Sequence, residues 1–242
     1  MQQRRRLAIL VLAAFALATA DAAVPIPKPP AINARAHILV DYDSGRVLAE
    51  SNADERMEPA SLTKVMTAYM AFEALKEGRL KPDEEVPISE HAWRSEGSRS
   101  FVQVGKRIPA EVLIKGMIVQ SGNDATIALA ERLGGTEAGF VQIMNSYAKQ
   151  LGMKNTNFEN SAGLPGANHY TTARDMATLA RAIIREFPDY YRYYSLREFT
   201  WNKHTQQNRN GLLGRDPSVD GIKTGHTESA KYCLVSSARR ND

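Results

Sequence analysis

The chain has 242 residues, of which 43% are hydrophobic, enough for one or two domains with a sizeable core. Its formal charge of +4 comes from 31 basic against 27 acidic residues, and Arg4, Arg5 and Arg6 supply three of the basic ones. The remainder is nearly neutral and carries no basic cluster interleaved with aromatics, which excludes a nucleic-acid partner.

The charged start is followed by an apolar run from Leu7 to Ala20, the pattern of a secretory signal peptide. That leader is expected to cover residues 1–22, with Ala18-Thr19-Ala20 and Ala20-Asp21-Ala22 both suited to cleavage. The run is short for an uncleaved membrane span. Pro25-Ile26-Pro27-Lys28-Pro29-Pro30 marks an extended linker over residues 23–34, ahead of one folded domain from 35 to 242.

Two strands, Ile38–Tyr42 and Arg46–Ala49, are expected as a hairpin around Asp43-Ser44-Gly45. The string Asp41-Tyr42-Asp43-Ser44-Gly45 has a calcium-loop flavour but lacks the distal glutamate. Next, residues 62–75 are apolar nearly all round, as in a buried helix, and the first turn would hold Ser61 and Lys64 on one face. Ser89 to Gly105 is polar and suits a loop. Pro109 suits the first position of a helix that ends near Gln120, leaving Ser121-Gly122-Asn123 on the connection. Asp124 to Leu133 is expected as helix, stopped by Gly134-Gly135, and Thr136-Glu137 open another to Leu151. Residues 153–170 are loop-like, and Thr172-Ala173-Arg174-Asp175 resembles a capping box ahead of a helix to Phe187. The β-prone segments are Glu198–Lys203, Val219–Thr224 and Tyr232–Ser237. Strands at both ends with helices between them predict an α+β class, one mainly antiparallel sheet with an inserted helical region.

Acyl transfer at a serine requires a base near the hydroxyl, an oxyanion site, a proton route to the leaving group and a grip on the substrate. Ser61 is the candidate nucleophile and Lys64 the candidate base. A second Ser-x-x-Lys, Ser146 to Lys149, lies in an amphipathic stretch and is expected on a helix surface. Lysine is protonated at neutral pH, so Lys64 must lose its proton; burial beside another cation would favour that, and Lys223 is the candidate if its strand lies alongside the helix. No Gly-x-Ser-x-Gly elbow is present. The five histidines show no His-Glu-x-x-His spacing and Cys233 is single, so no metal, cofactor or intrachain disulfide is expected.

Ser61-Leu62-Thr63-Lys64, then Ser121-Gly122-Asn123, then Lys223-Thr224-Gly225, is the ordered signature shared by penicillin-binding proteins and class A β-lactamases. With Gln120–Ala125, Asn208-Arg209-Asn210-Gly211-Leu212-Leu213 and Val219–Thr227, the chain from about His37 to Arg239 resembles the D-alanyl-D-alanine carboxypeptidases, which are low-molecular-mass penicillin-binding serine peptidases. The resemblance implies a β-lactamase/transpeptidase-like fold and an acyl-enzyme mechanism on the D-Ala-D-Ala terminus of peptidoglycan stem peptides, with β-lactams as covalent inhibitors. It implies Ser61 as nucleophile, Lys64 as base, backbone N–H groups of Ser61 and His226 as the oxyanion hole, and Ser121 as proton relay. Asn123 would position Lys64 and the substrate amide. Lys223, Thr224 and Arg209 would hold the terminal carboxylate, with Gly225 among the substrate-binding positions. It also implies a periplasmic location at the outer face of the inner membrane, with peripheral attachment through a C-terminal region beyond this sequence. Family members continue with a further strand and a long helix, so the chain is expected to be incomplete at its C-terminus, with unpaired sheet edges and low stability. The alternatives are a D-Ala endopeptidase, a class A-like β-lactamase and a non-catalytic wall-binding module. Phe158-Glu159-Asn160-Ser161 lacks the Glu-x-x-Leu-Asn arrangement of a deacylating β-lactamase loop.

Overall fold

The N-terminal hairpin pairs β1 (His37–Val40) with β2 (Val47–Ser51) in antiparallel register. Its connection is a turn held by its own side chains. Asp41 Oδ1 accepts the Ser44 N–H at 3.0 Å, and Gly45 takes φ +73°, a conformation that favours glycine. The computed structural model describes residues 30–240, and those from Ala34 onward form one unit. The expected leader and most of the expected linker lie outside the described residues.

The apolar run after Pro59 enters the core differently from the expectation. Ala60–Thr63 is a 3₁₀ turn, and the α-helix α1 covers Lys64–Lys76. Ala60 has φ +47°, so the chain enters the turn through a left-handed residue and not through a helix cap. For an alanine this costs about 1 kcal/mol. Beyond it, Val65, Met66, Ala68, Ala71, Phe72 and Ala74 are wholly buried, as a helix apolar on all sides requires. Phe72 sits among Phe187, Tyr190, Tyr193 and Tyr194, with ring centroids 5.5–6.2 Å apart.

Short elements fill what the sequence presents as a polar loop and its flanks. These are β3 (Glu85–Pro87), α2 (Glu90–Arg94), β4 (Arg107–Pro109) and α3 (Ala110–Lys115). Ser89 caps α2 by accepting the Ala92 N–H at 3.0 Å. Pro109 closes β4, so α3 starts one residue later than Pro109 implies. A π-helical turn, Gly116–Gln120, extends it to the expected end. Then come α4 (Asn123–Gly134), α5 (Glu137–Gln150), α6 (Ala173–Glu186) and α7 (Pro188–Tyr191). Thr136 and Thr172 cap α5 and α6, accepting the N–H groups of Gly139 and Asp175 at 3.0 and 3.1 Å. The second Ser-x-x-Lys lies in α5 with Ser146 and Lys149 exposed, the surface position expected of it.

The last strands are β5 (Glu198–Trp201), β6 (His204–Gln207), β7 (Val219–Thr227) and β8 (Lys231–Ala238). All pairing among the described strands is antiparallel, in keeping with the α+β class. Hydrogen bonding nevertheless divides the described strands into four two-stranded ladders, β1–β2, β3–β4, β5–β6 and β7–β8, where one sheet was expected. Helix α6 packs against both β1 and β8, so the first and last ladders share a helical backing without sharing hydrogen bonds.

Candidate active site

The site assembles where three local irregularities meet. The first is the Ser61 turn. Strand β7 lies directly against it, and a Cβ at Gly225 would stand 3.1 Å from the Ser61 nitrogen and 3.2 Å from Ala60 Cβ. A side chain there would press on the turn, and glycine lets the strand approach it this closely without displacing it. With Gly225 set there, Lys223, two residues earlier, points inward and is 3% exposed.

The second irregularity follows the π-helical turn. Ser121 adopts φ +65°, ψ +31°, the left-handed position that usually belongs to glycine, and the Gly122 N–H closes back onto the Gly116 carbonyl at 3.2 Å. A Cβ on Gly122 would collide with Ser100. Asp124, wholly buried, accepts the Ser100 N–H at 2.7 Å, and the Asn123 N–H donates to the Ser98 carbonyl at 2.7 Å. These bonds tie residues 98–102 beneath the Ser-x-Asn segment.

The third is the loop 159–164. Asn160 Oδ1 accepts the N–H groups of Ala162, Gly163 and Leu164 at 3.2, 2.7 and 2.9 Å, bending the loop so that its carbonyls face α1. Gly163, at φ +86°, packs on the Ala60 carbonyl, where a Cβ would collide.

Within this frame Lys64 Nζ, 1% exposed as a residue, lies 3.1 Å from Ser61 Oγ, 2.7 Å from Asn123 Oδ1 and 2.5 Å from the Ala162 carbonyl oxygen. Lys223 Nζ donates to Ser121 Oγ at 2.9 Å and to the Thr224 carbonyl at 2.8 Å. Burial, then the charges of Lys223 and Arg209, push the Lys64 amine well below its ordinary pKa, and Asp124 opposes them. Burial and Arg209 push Lys223 down to about 7.

The structure therefore brings Ser61, Lys64, Ser121, Asn123, Lys223 and Gly225 together. Arg209 is exposed beside them. Its N–H meets the Val119 carbonyl at 3.4 Å, and Asn210 Nδ2 anchors its loop to the Gly221 carbonyl of β7 at 3.0 Å. Thr224 is half-buried, with its carbonyl turned to Lys223. His226 is exposed and its ring lies 4.5 Å from that of Tyr232, so the imidazole faces outward. Glu159 accepts the Asn168 N–H at 3.0 Å and is held within its own loop. Cys233 is half-buried, and burial raises its thiol pKa. No three His, Cys, Asp or Glu among the described residues gather into a metal-binding cluster.

Three participants escaped the sequence reading. The Ala162 carbonyl leaves no side-chain signal. Asp124 follows the Ser-x-Asn motif, and its hold on the N–H groups of Ser100 and Val102 shows only in the fold. His169 is 2% exposed, with Nε2 2.9 Å from Thr63 Oγ1 and Nδ1 accepting the Glu159 N–H at 3.2 Å. Burial pushes its pKa down to about 4, so the ring is neutral at physiological pH, with its proton on Nε2 facing Thr63.

Comparison with known proteins gives the arrangement a lineage. Residues 23–242 match the family described as D-alanyl-D-alanine carboxypeptidase. The chain belongs to that family. It is 47% identical over 220 residues to D-alanyl-D-alanine carboxypeptidase DacA of Escherichia coli strain K12, a match covering 88% of this chain and 55% of that protein. The solved structure of D-alanyl-D-alanine carboxypeptidase DacD from Francisella tularensis superimposes with a TM-score of 0.88 at 38% identity, over 89% of this chain and 65% of that one. Penicillin binding protein 5 from Haemophilus influenzae gives 0.86 at 46% identity, over 88% and 63%. The chain thus spans little more than half the length of the curated relatives it matches, 55–59% for those from Escherichia coli K12 and Haemophilus influenzae named DacA and DacC.

Proposed function

We propose that this chain carries the acylation site of a serine-type D-alanyl-D-alanine carboxypeptidase, which removes the terminal D-alanine from peptidoglycan stem peptides and is acylated by β-lactams. One observation carries the proposal: a buried amine, depressed by its burial and then by the charges of Lys223 and Arg209, lies 3.1 Å from the hydroxyl of Ser61. Family membership, and similarity to a protein named for penicillin binding, support it.

In the proposed sequence Lys64 Nζ takes the Ser61 proton as Oγ attacks the carbonyl of the penultimate D-alanine. The backbone N–H groups of Ser61 and His226 receive the oxyanion. Ser121, hydrogen-bonded to Lys223, relays a proton to the departing D-alanine nitrogen, and Asn123 orients Lys64 and the substrate amide. Lys223, Thr224 and Arg209 hold the terminal carboxylate, where a guanidinium offers paired donors. Water then attacks the acyl-enzyme and restores the Ser61 hydroxyl. A β-lactam enters by the same attack, but its opened ring keeps the leaving amine tethered.

The decisive test pairs D-alanine release from a stem pentapeptide with labelling by fluorescent penicillin, in the wild-type chain and in Ser61→Ala. The variant is expected to lose both completely. Labelling that survives in Ser61→Ala overturns the proposal. The same proposal places the enzyme in the periplasm, peripherally held at the outer face of the inner membrane, after removal of a leader that ends at Ala20 or Ala22. Protein recovered from the periplasmic fraction should begin at Asp21 or Ala23, and one that retains Met1 there refutes the leader.

A further inference from the structure

A neutral lysine amine has two N–H donors and one lone pair, and its neighbours decide where each points. Around Lys64 Nζ, Asn123 Oδ1 and the Ala162 carbonyl can only accept, whereas the Ser61 hydroxyl can also donate. Both N–H groups therefore go to Asn123 and Ala162, and the lone pair faces Ser61. The Ala162 carbonyl is thus half of what aims the base, yet it belongs to an irregular loop that something must hold.

Part of the hold is local, through Asn160, and part comes from Thr67 of α1, whose Oγ1 donates to the Ser161 carbonyl at 2.8 Å. A second anchor from outside the loop is Glu137. Its Oε1 accepts both the N–H and the hydroxyl of Ser161, at 3.0 and 2.7 Å, and Ser161 is wholly buried. Its Oε2 meets His91 Nε2 of α2 at 2.8 Å. Glu137 is the first residue of α5, where the helix end also favours a carboxylate. Burial pushes its carboxyl up, but Ser161 and then His91 outweigh burial and leave it below the ordinary carboxylate range, hence ionised at neutral pH.

We propose that Glu137 is a positioning residue for acylation: by clamping Ser161 it sets the neighbouring Ala162 carbonyl against Lys64 and keeps the loop closed over that amine. This inference rests on Lys64 acting as the base for Ser61. The charged groups acting on Lys64 are Lys223 from β7, Arg209 from its loop and Asp124 from α4, and none of them is altered by a change at Glu137. Loosening the loop admits water to the amine, and because burial is the largest influence on Lys64, its pKa returns toward the ordinary value. The acid limb of the acylation profile then moves to higher pH.

The test is stopped-flow acylation by fluorescent penicillin as a function of pH, with thermal melting alongside. Glu137→Ala is expected to slow acylation by about tenfold to a hundredfold, the range for removing a group that orients a reacting one, and to move the acid limb upward. Glu137→Gln keeps an acceptor for both Ser161 donors and is expected to stay within about threefold of wild type with the limb unmoved. Should Glu137→Ala fail to fold, Ser161→Ala loses the hydroxyl bond alone and should move the limb in the same direction by less. An acid limb that stays in place in both Glu137→Ala and Ser161→Ala overturns the proposal, as does a Gln variant as impaired as the Ala variant. Labelling that persists in Ser61→Ala would instead remove the acylation reading itself, so the two failures are distinguishable.

Discussion

Two buried lysines each meet a serine hydroxyl in this molecule, at 3.1 Å for Lys64 with Ser61 and 2.9 Å for Lys223 with Ser121. The distances are nearly the same but the surroundings are not. Lys64 begins a helix and is pressed by a second cation with an acceptor on either side. Lys223 sits on a strand, bonded to Ser121 and to the carbonyl of its own neighbour, with the exposed Arg209 as its cationic influence. Both are depressed first by burial, Lys64 then by Lys223 and Arg209, and Lys223 then by Arg209. Lys223, lowered to about 7, is close to half protonated near neutrality, whereas Lys64 is held well below its ordinary value with acceptors for its N–H groups, so one pair suits taking a proton and the other suits passing one on or holding an anion.

The largest test of that contrast removes the base. Lys64→Met keeps an unbranched chain in the buried slot but offers no lone pair, and acylation should fall by about a thousandfold, within the range for general-base losses. A folded variant that acylates within tenfold of wild type would make the contrast irrelevant to catalysis. Lys223→Met is expected to cost about a hundredfold and to carry a second mark. Without the neighbouring charge the Lys64 pKa rises, and the acid limb shifts to higher pH; a shift in the other direction would mean that the two amines do not interact as described. Arg209→Ala should act in the same sense but weaken acylation only by about tenfold, because an exposed charge is screened. That effect should shrink in high salt, and one insensitive to salt would point to packing instead.

Much of this contrast is legible in the sequence alone, because the chemistry is written in contiguous residues. Ser61 and Lys64 share a turn, Ser121 and Asn123 share a connection, and Lys223 and Gly225 share a strand face. The caps at Thr136 and Thr172 were equally plain, since one side chain and one nearby N–H settle them. What stayed hidden depends on the tertiary fold. Ala60 takes a left-handed φ where β7 and Gly163 pack against the turn, and the helix begins at Lys64 and not at Ser61. Strands β3 and β4 are three residues each, too short for alternation to register. Strand β6 is polar, and its one local sign was Asn202-Lys203, both left-handed, in a two-residue turn. The Ala162 carbonyl could not be read at all, since a backbone acceptor is the same in every sequence. Its anchors, Glu137 and Asn160, become informative only once the loop is seen against α1.

The smallest effect expected is on stability, and its sign follows from the lowered pKa of Lys223. In the unfolded chain that amine titrates near 10.5, whereas in the folded protein it titrates at about 7. Between those values the unfolded state binds more protons, so stability rises with pH through that window, by at most about 1.4 kcal/mol per pH unit for this one group. Below pH 7 both states carry the charge and the penalty of burying it is present in full. Urea unfolding at pH 7.5 and 9.5 should therefore show the wild-type chain more stable at the higher pH. In Lys223→Met the gain should shrink by the share of one proton. A variant whose pH dependence matches wild type would mean that Lys223 keeps its charge in the folded protein, and the difference between the two serine–lysine pairs would then lie in their geometry alone.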